Sequence, residues 1–254
     1  MSRLGYHIRF RLRDDGVIAA TMEERRVLAR CILEHGRSFA LYAFGYPDTH
    51  VHLVARVERR GAGRLAQAIE VSLKRRLGLS TGFAQHEPRP LIDNAHMYNT
   101  VRYVLRQTER HKLDVDPLRE GSNLLDLAGL RVLGSYTADN VRRWLPRLGR
   151  HELLEMLGVA ELVPVDGEVD QVIPAAMAAS CCSSLTGSTR EVVALRHAII
   201  EVIGRRLPAR DIAALLDCSR REIERRRQRP ADPGLVRAIR LQLCLQEQKK
   251  HRAT

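Results

Sequence analysis

Strand-like sequence is confined to the first sixty residues of this 254-residue chain, and this restricts the possible folds more than any other feature. Apolar and basic residues alternate between Tyr6 and Arg13, the period-2 pattern of a half-exposed strand. Two further apolar runs, 38–46 and 50–58, are separated by Pro47 and Asp48 and predict a β-hairpin. The chain can therefore build one small antiparallel sheet, but not a barrel of many strands.

Helical patterns fill most of the remaining sequence. Three amphipathic helices are expected in the first half of the chain, over 21–36, 63–78 and 94–113. Thr21 and Glu24 have the spacing of a capping box, and Asn94 is the expected cap of the third helix, after a loop that runs through Pro90. From about residue 116 only helical patterns remain. This order predicts an α+β fold, an antiparallel sheet with helices, followed by an all-α region.

Residues 190–229 have the pattern of three helices with a tight turn. The first helix ends at Gly204, Pro208 precedes the second, and Cys218 and Ser219 form the turn before the third. The apolar residues of the last two helices would be buried: Ile212, Ala213, Leu216 and Ile223. The arginines of the third helix would face outward: Arg220, Arg221, Arg225, Arg226 and Arg229. A DNA-binding helix-turn-helix fits this pattern, and the alternative is a helical bundle with an arginine-rich solvent face.

The net charge of +12 is concentrated at the two ends of the sequence. Basic and acidic residues number 20 and 13 in residues 1–116, 6 and 9 in 117–188, and 16 and 8 in 189–254. Two basic segments flanking an acidic one suggest two nucleic-acid contacts, although a solvated arginine-rich surface is the alternative. We therefore expect a basic α+β domain over 1–115, a helical connector and linker over 116–188, and a helix-turn-helix-like DNA-binding domain over 189–254.

The cysteines and the apolar runs restrict the compartment. The five cysteines include no C-x-x-C pair, so neither a disulfide framework nor a structural zinc site is expected. No apolar run approaches the ~20 residues of a membrane span, and the first residues lack the apolar core of a signal peptide. We expect a soluble, cytoplasmic and nucleoid-associated protein with no membrane partner.

Two histidines stand inside the apolar run "PDTHVHLV". In a strand, His50 and His52 would project from the same face, and imidazole is costly to bury without a hydrogen bond or a metal. A strand end whose histidines meet water is the simpler interpretation. On the third helix, Tyr103 and Gln107 are four residues apart and share a face. Each feature alone is unspecific.

Together these features resemble a known family. The string "THVHLV", followed about fifty residues later by "LIDNAHMYNTVRYVLRQ", is similar to the HUH single-strand DNA transferases, especially the REP-associated and single-tyrosine transposases. The resemblance covers residues 5–113 and implies a ferredoxin- or RRM-like domain with Tyr103 as nucleophile. It also implies that His50, His52 and Gln107 ligate Mg²⁺ or Mn²⁺. The family commonly has Met-Pro-Asn before its first histidine and Asn-Pro-Val after the helix, and this chain has neither. This departure bears on the choice of substrate.

The chemistry suits these residues. A divalent cation polarises a phosphodiester, and tyrosine, a weak nucleophile, gains from being positioned beside it. A covalent phosphotyrosine conserves the bond energy, so that a 3′-hydroxyl can reverse the step. Single-stranded or hairpin DNA is the expected substrate, and duplex DNA is a further partner of the C-terminal domain. Basic residues expected to line the DNA path are Arg9, Arg11, Arg13, Lys74, Arg75 and Arg76.

Other interpretations remain open at the level of sequence. The protein could be a domesticated, non-catalytic DNA-binding regulator that acts through its helix-turn-helix. An amidohydrolase barrel also uses His-x-His, but it needs later strands that this chain lacks. Tyr98 is a rival nucleophile, although its neighbour one turn on, Arg102, cannot ligate a metal. Whether one chain or a homodimer builds each active site is left open.

Overall fold

The computed structural model describes residues 4–86, 88–107, 116 and 118–253. The chain divides into two units, one of Met1–Ala128 with Leu133–Ala160 and the other of Gly129–Val132 with Glu161–Thr254. The segment 116–188, expected as a connector, is thus shared between the two units. The functional boundaries at residues 115 and 188 stay a prediction.

The first unit contains an antiparallel sheet of four strands in the order β2-β3-β1-β4. The strands are β1 (Gly5–Arg11), β2 (Leu41–Gly45), β3 (His50–Ala55) and β4 (Arg89–Leu91). Their helices are α1 (Met22–Gly36), α2 (Arg59–Arg76) and α3 (Asn94–Leu105). This confirms the α+β class and the hairpin of the second and third strands. The prediction of a loop through Pro90 was wrong, because β4 pairs with β1 there.

Pairing between β1 and β3 gives the sheet two different faces. Arg9 pairs with His52 and Arg11 pairs with His50, so these four side chains share one face. The alternate residues Ile8, Phe10, Val51 and Leu53 are at most 1% exposed and belong to the core. The polar alternation of β1 therefore places basic and imidazole groups together, opposite the apolar core.

Local sequence signals set the ends of the helices. The capping box of α1 is confirmed, since Glu24 donates its N–H to Thr21 Oγ1 (3.2 Å) and accepts from the Thr21 N–H (2.9 Å). The cap of α3 is Asp93, which accepts from the His96 N–H at 2.7 Å, and not Asn94 as predicted. The helix ends at Leu105, and residues 108–113 of the predicted helix lie outside the described residues.

In the described part of the first unit, α3 is followed by the helices α4 (Leu124–Leu127), α5 (Ser135–Trp144) and α6 (Arg150–Leu157). Strand β2 lies at the edge of the sheet, and α5 packs against it. The side chain of Asn123 accepts from the Phe44 N–H at 2.8 Å and donates to the Tyr42 carbonyl at 2.9 Å. These bonds satisfy backbone groups that an edge strand would otherwise leave exposed.

Among its described residues, the second unit contains helices and loops and no strand. Its helices are α7 (Val169–Ser180), α8 (Arg190–Ile203), α9 (Ala209–Leu215), α10 (Arg220–Arg227) and α11 (Pro233–Ala253). Residues expected to be buried in α9 and α10, Ile212 and Ile223, are fully buried. The small-residue stretch 179–189 is only partly the linker expected, because α7 reaches Ser180 and Cys181 is buried. No described helix is long and apolar enough to cross a membrane.

Candidate active site

Three histidines meet on the polar face of the sheet. The rings of His50 and His52 have centroids 4.7 Å apart at 71°, as expected for residues two apart on a strand. His7 of β1 stacks on His52, with centroids 5.2 Å apart and an interplanar angle of 15°. The Thr49 hydroxyl lies 3.3 Å from His50 Nδ1. The two predicted ligands therefore stand together, with a third imidazole that was not predicted.

His7 contacts His52 through a hydrogen bond between His7 Nε2 and His52 Nδ1, 2.9 Å apart. Burial, followed by the nearby charges of Arg89 and Arg9, lowers the pKa of His7 to about 4. His7 is therefore neutral at neutral pH, and one ring nitrogen of the pair donates while the other accepts. A partner of this kind fixes the orientation and tautomer of an imidazole. Sequence reasoning missed His7 because its relation to His52 depends on the pairing of β1 with β3.

Tyr103 on α3 points its ring at these histidines. Its ring centroid lies 5.6 Å from that of His52 and 6.3 Å from that of His7, both in edge-on geometry. The side chain is 37% exposed. Helix α3 can come this close because β2 carries Gly45, where an added Cβ would lie 2.4 Å from the Val104 carbonyl oxygen. Since Gly45 pairs with His52, this close approach occurs beside the histidines.

Gln107, one turn after Tyr103, is 1% exposed. Its side-chain nitrogen donates to the Tyr103 carbonyl at 3.1 Å. Its Oε1 is buried and, within the part of the chain that the structure describes, accepts no hydrogen bond. A buried amide oxygen is a ligand type that divalent cations take in proteins.

The donor set fits a divalent cation in its chemistry. Among the described residues, no group of three or more histidine, cysteine, aspartate or glutamate side chains is placed to hold a metal. The predicted set contains only two such side chains, His50 and His52, with Gln107 as an amide ligand. Two imidazoles and one amide oxygen leave coordination positions for phosphate and water oxygens, and imidazole favours Mn²⁺ over Mg²⁺.

The rival tyrosine, Tyr98, is in a different environment. Its hydroxyl donates to Glu152 Oε2 at 2.9 Å, and the same carboxylate forms an ion pair with Arg102. Desolvation and then the contact with Glu152 raise the pKa of Tyr98. A tyrosine bound to a carboxylate in this way is held as a structural group, whereas Tyr103 faces the histidines.

A groove of about 270 Å³ adjoins the histidines. Its lining combines imidazole, guanidinium and phenol groups, from His7, Arg9, Arg11, His52, His86, Arg89 and Tyr103. Arg13 is exposed beyond the end of β1, and its Nε donates to the Phe83 carbonyl at 3.2 Å. The α2 residues Lys74, Arg75 and Arg76 are exposed but are not among the residues that line this groove. Of the predicted DNA path, the structure thus brings the β1 arginines Arg9 and Arg11 to the site.

The loop that leads into His50 is held by a buried arginine. Arg25 of α1 donates to the carbonyl oxygens of Tyr46 (3.4 Å) and Pro47 (3.2 Å) and lies 3.7 Å from a carboxylate oxygen of Asp116. Asp116 accepts from the N–H groups of Glu120 and Gly121, each at 2.7 Å. These contacts fix the start of β3. Sequence reasoning missed them, since nothing local distinguishes Arg25 from a surface arginine.

The arginines of the second unit divide into two groups. Four of the predicted outward residues are exposed, namely Arg220, Arg221, Arg225 and Arg229. Arg226 is not outward as predicted, because its guanidinium donates to Glu222 Oε1 (2.6 and 2.9 Å) and to the Val193 carbonyl (3.0 Å). Ser219 caps α10 by accepting from the Glu222 N–H at 3.2 Å. The first turn of α10 carries two exposed guanidinium groups, those of Arg220 and Arg221.

Comparisons of this chain with protein-family models, with curated proteins and with solved structures find no match. Function is therefore inferred from the chemistry of the site itself.

Proposed function

We propose that this protein is a metal-dependent HUH-type endonuclease and strand transferase that cleaves single-stranded DNA through a covalent bond to Tyr103. The proposal rests on the position of Tyr103. Its ring centroid lies 5.6 Å from that of His52, although the two residues lie on different elements far apart in the sequence. A tyrosine nucleophile beside paired imidazoles is the arrangement that the sequence resemblance implies.

The topology supports the same proposal. The element order β1-α1-β2-β3-α2-β4, with strand order β2-β3-β1-β4, matches the split βαβ pattern of ferredoxin-like domains. His50 and His52 lie on β3, one of the two central strands. Helix α3, which carries Tyr103, follows the last strand. This is the domain type expected for the HUH family.

In the proposed reaction, the Tyr103 hydroxyl loses its proton and attacks the scissile phosphorus. The new bond joins phosphorus to the tyrosine oxygen, the bond to the 3′ oxygen breaks, and that oxygen leaves as a 3′-hydroxyl after taking a proton. His50, His52 and Gln107 would hold a divalent cation, which when bound would polarise the phosphate and offset its developing charge. Attack by a 3′-hydroxyl on the phosphotyrosine reverses the step and transfers the strand.

The groove supplies positive charge for the substrate. Arg9 and Arg11 are exposed on the same sheet face as the histidines, and Arg89 lines the groove beside His7. Guanidinium groups in this position would bind the phosphates that flank the scissile bond. His7 would orient His52 through their hydrogen bond.

The proposal is tested by DNA nicking with the full chain. A labelled hairpin oligonucleotide with single-stranded arms should be cut in Mn²⁺ and left intact in EDTA. His50→Ala and His52→Ala should each eliminate cutting, while His151→Ala, at an exposed histidine of α6, should not change it. Cutting in EDTA at the full rate would contradict the metal site.

A second candidate function is non-catalytic binding of duplex DNA by the second unit. It is favoured by the exposed arginines at the start of α10, which follow a short turn after α9. A regulator of this kind would bind duplex DNA without cutting single strands under any metal condition. The nicking assay therefore separates the two functions.

A further inference from the structure

The chain contains a single tryptophan, Trp144, at the carboxyl end of α5, and its side chain is 41% exposed. The guanidinium carbon of Arg56 lies 3.5 Å from the ring centroid of Trp144, and that of Arg143 lies 5.1 Å away. Arginine stacked on an aromatic face fixes the ring and surrounds it with positive charge. Arg56 covers part of the ring, and the exposed remainder of Trp144 can contact a ligand that carries both a flat ring and a negative charge.

Trp144 lines a groove of about 750 Å³ in the first unit, within the size range of small-molecule sites. The facing wall is the first half of α3, including Asn94, Tyr98 and Asn99, and Arg147 lines it as well. The groove therefore combines two aromatic rings, two amides and a guanidinium group.

These residue types match an unpaired nucleotide. Aromatic faces stack bases of any sequence, amides can hydrogen-bond base edges, and guanidinium groups bind phosphates. The acidic groups nearby are already engaged, since Asp93 caps α3 and Glu152 binds the Tyr98 hydroxyl and Arg102. Arg147 in the lining, and Arg56 and Arg143 beside Trp144, outnumber the carboxylate of Asp93, which also lines the groove.

Residues of α3 line both this groove and the groove beside the histidines. Asn99 and Tyr103 are four residues apart and both exposed, so they share a helical face and are separated by about 6 Å along the helix axis. A strand extending from Tyr103 toward the amino end of α3 would pass Asn99 and the groove that Trp144 lines.

We propose that this groove is a base-binding subsite, in which an unpaired base of single-stranded DNA stacks on Trp144 beside Tyr98. Arg56, Arg143 and Arg147 would bind the adjacent phosphates. The identity of the polymer rests on the proposed function. The subsite would hold one arm of the substrate while Tyr103 acts on a neighbouring phosphate.

The experiment uses the fluorescence of Trp144, which is the only tryptophan in the chain and so reports this groove alone. The full chain is titrated with short oligothymidine in EDTA, so that no cleavage is needed, and binding is followed in parallel by anisotropy of a dye on the DNA. The fluorescence should be quenched with the same midpoint as the anisotropy change. An oligomer of the same length without bases should bind more weakly and quench little.

Variants test the role of the ring. Trp144→Leu should weaken oligothymidine binding about 5- to 150-fold, the effect of removing the stacking of one base, and Trp144→Phe should restore most of the affinity. Arg142→Ala, at an exposed residue of the same helix, is the matched control and should change affinity less than about threefold. Circular dichroism of each variant verifies that it is folded.

Saturating DNA that leaves the tryptophan fluorescence unchanged would overturn the subsite, as would Trp144→Leu with unchanged affinity. Equal quenching by the oligomer without bases would also overturn it, because the groove would then be a phosphate site. These results are separate from cleavage. Quenching without nicking in Mn²⁺ would leave the subsite standing and reject the proposed function, and nicking without quenching would do the reverse.

Discussion

His7 and Glu70 are two partly buried titratable groups near the groove, and their pKa values are shifted in opposite directions. The pKa of His7 is lowered to about 4 by burial and by neighbouring arginines. The pKa of Glu70 is raised to about 7 by burial, and its carboxylate lies 3.3 Å from Nδ1 of His86, a groove residue whose own pKa burial lowers. Both His7 and Glu70 are therefore held toward their neutral forms.

For His7, the folded state binds fewer protons than the unfolded state between pH 4 and 6.5. The contribution of His7 to the free energy of unfolding is therefore unchanged above pH 6.5. It falls as the pH drops toward 4, by about 3 kcal/mol at most. His7→Gln keeps a polar side chain that does not titrate and should remove this loss. Urea unfolding between pH 4.5 and 7.5 measures the effect, and an unchanged pH slope would contradict the assigned shift.

For Glu70, the folded state binds more protons than the unfolded state between pH 4.5 and 7. Stability therefore falls as the pH rises through this range, and solvent screening of this partly exposed carboxylate reduces the effect. Glu70→Gln should raise stability at pH 8 and change it little at pH 4.5. Because the two groups oppose each other, the unmodified protein should show a flatter profile than either variant. Parallel profiles for all three proteins would count against both assignments.

Single residues of the site could be predicted where the signal is local. His50 and His52 share a face because strand side chains alternate, whereas the shared helical face of Tyr103 and Gln107 stays a prediction because α3 ends at Leu105. The roles of His7, Gly45 and Arg25 could not be predicted, because each depends on a contact with a distant element. Arg226 was placed wrongly because its partner Val193 lies on another helix.

At the level of elements, the approach of α3 to β2 decides where Tyr103 lies. An added Cβ at Gly45 would stand 2.4 Å from the backbone oxygen of Val104, a clash that no rotamer change relieves. Gly45→Ala should therefore move α3, destabilise the protein by about 1–3 kcal/mol and strongly reduce DNA cleavage. Urea unfolding and the nicking assay measure the two effects.

Gly63 of α2 is the control for this substitution. Nothing lies within 4 Å of a Cβ added there, so Gly63→Ala should retain full cleavage and gain up to about 1 kcal/mol from helix propensity. Equal behaviour of the two alanine variants would show that the approach of α3 at Gly45 does not matter.

The basic face of α10 gives a prediction about duplex DNA. Arg221→Ala combined with Arg225→Ala should weaken duplex binding. It should also reduce the salt dependence of the binding constant, by a slope of about 0.9 for each DNA phosphate that the arginines no longer neutralise. Arg226→Ala should instead lower the stability of the protein, because it removes hydrogen bonds to Glu222 and to the Val193 carbonyl. A double variant with unchanged affinity and salt slope would show that α10 is only a packing element.

Elements with local signals were predicted and those without them were not. Helices α1 and α10 begin with side-chain caps, Thr21 and Ser219, and α8 ends at Gly204, all readable from the sequence. Strand β4 was missed because it has three residues, includes Pro90 and is defined only by its pairing with β1.

For the molecule as a whole, we expect the two units to carry separable chemistry. A cut near residue 188 would remove α8 and α11, against which α7 packs, so it would not separate the two proposed functions cleanly. Substitutions should do so. Tyr103→Phe should leave duplex binding unchanged, and the double variant of Arg221 and Arg225 should leave nicking of an unstructured single strand unchanged. Loss of both activities in either variant would contradict their independence.

Covalent attachment of DNA to Tyr103 is the step on which the proposed function depends. To detect it, the full chain is incubated with a single-stranded hairpin oligonucleotide and Mn²⁺, denatured, digested with protease and nuclease, and analysed by mass spectrometry. We expect a nucleotide phosphate on the peptide that contains Tyr103, absent from Tyr103→Phe and retained in Tyr98→Phe. An adduct that persists in Tyr103→Phe or maps to another residue, or the lack of any adduct in the unmodified protein, would contradict the assignment of Tyr103 as nucleophile.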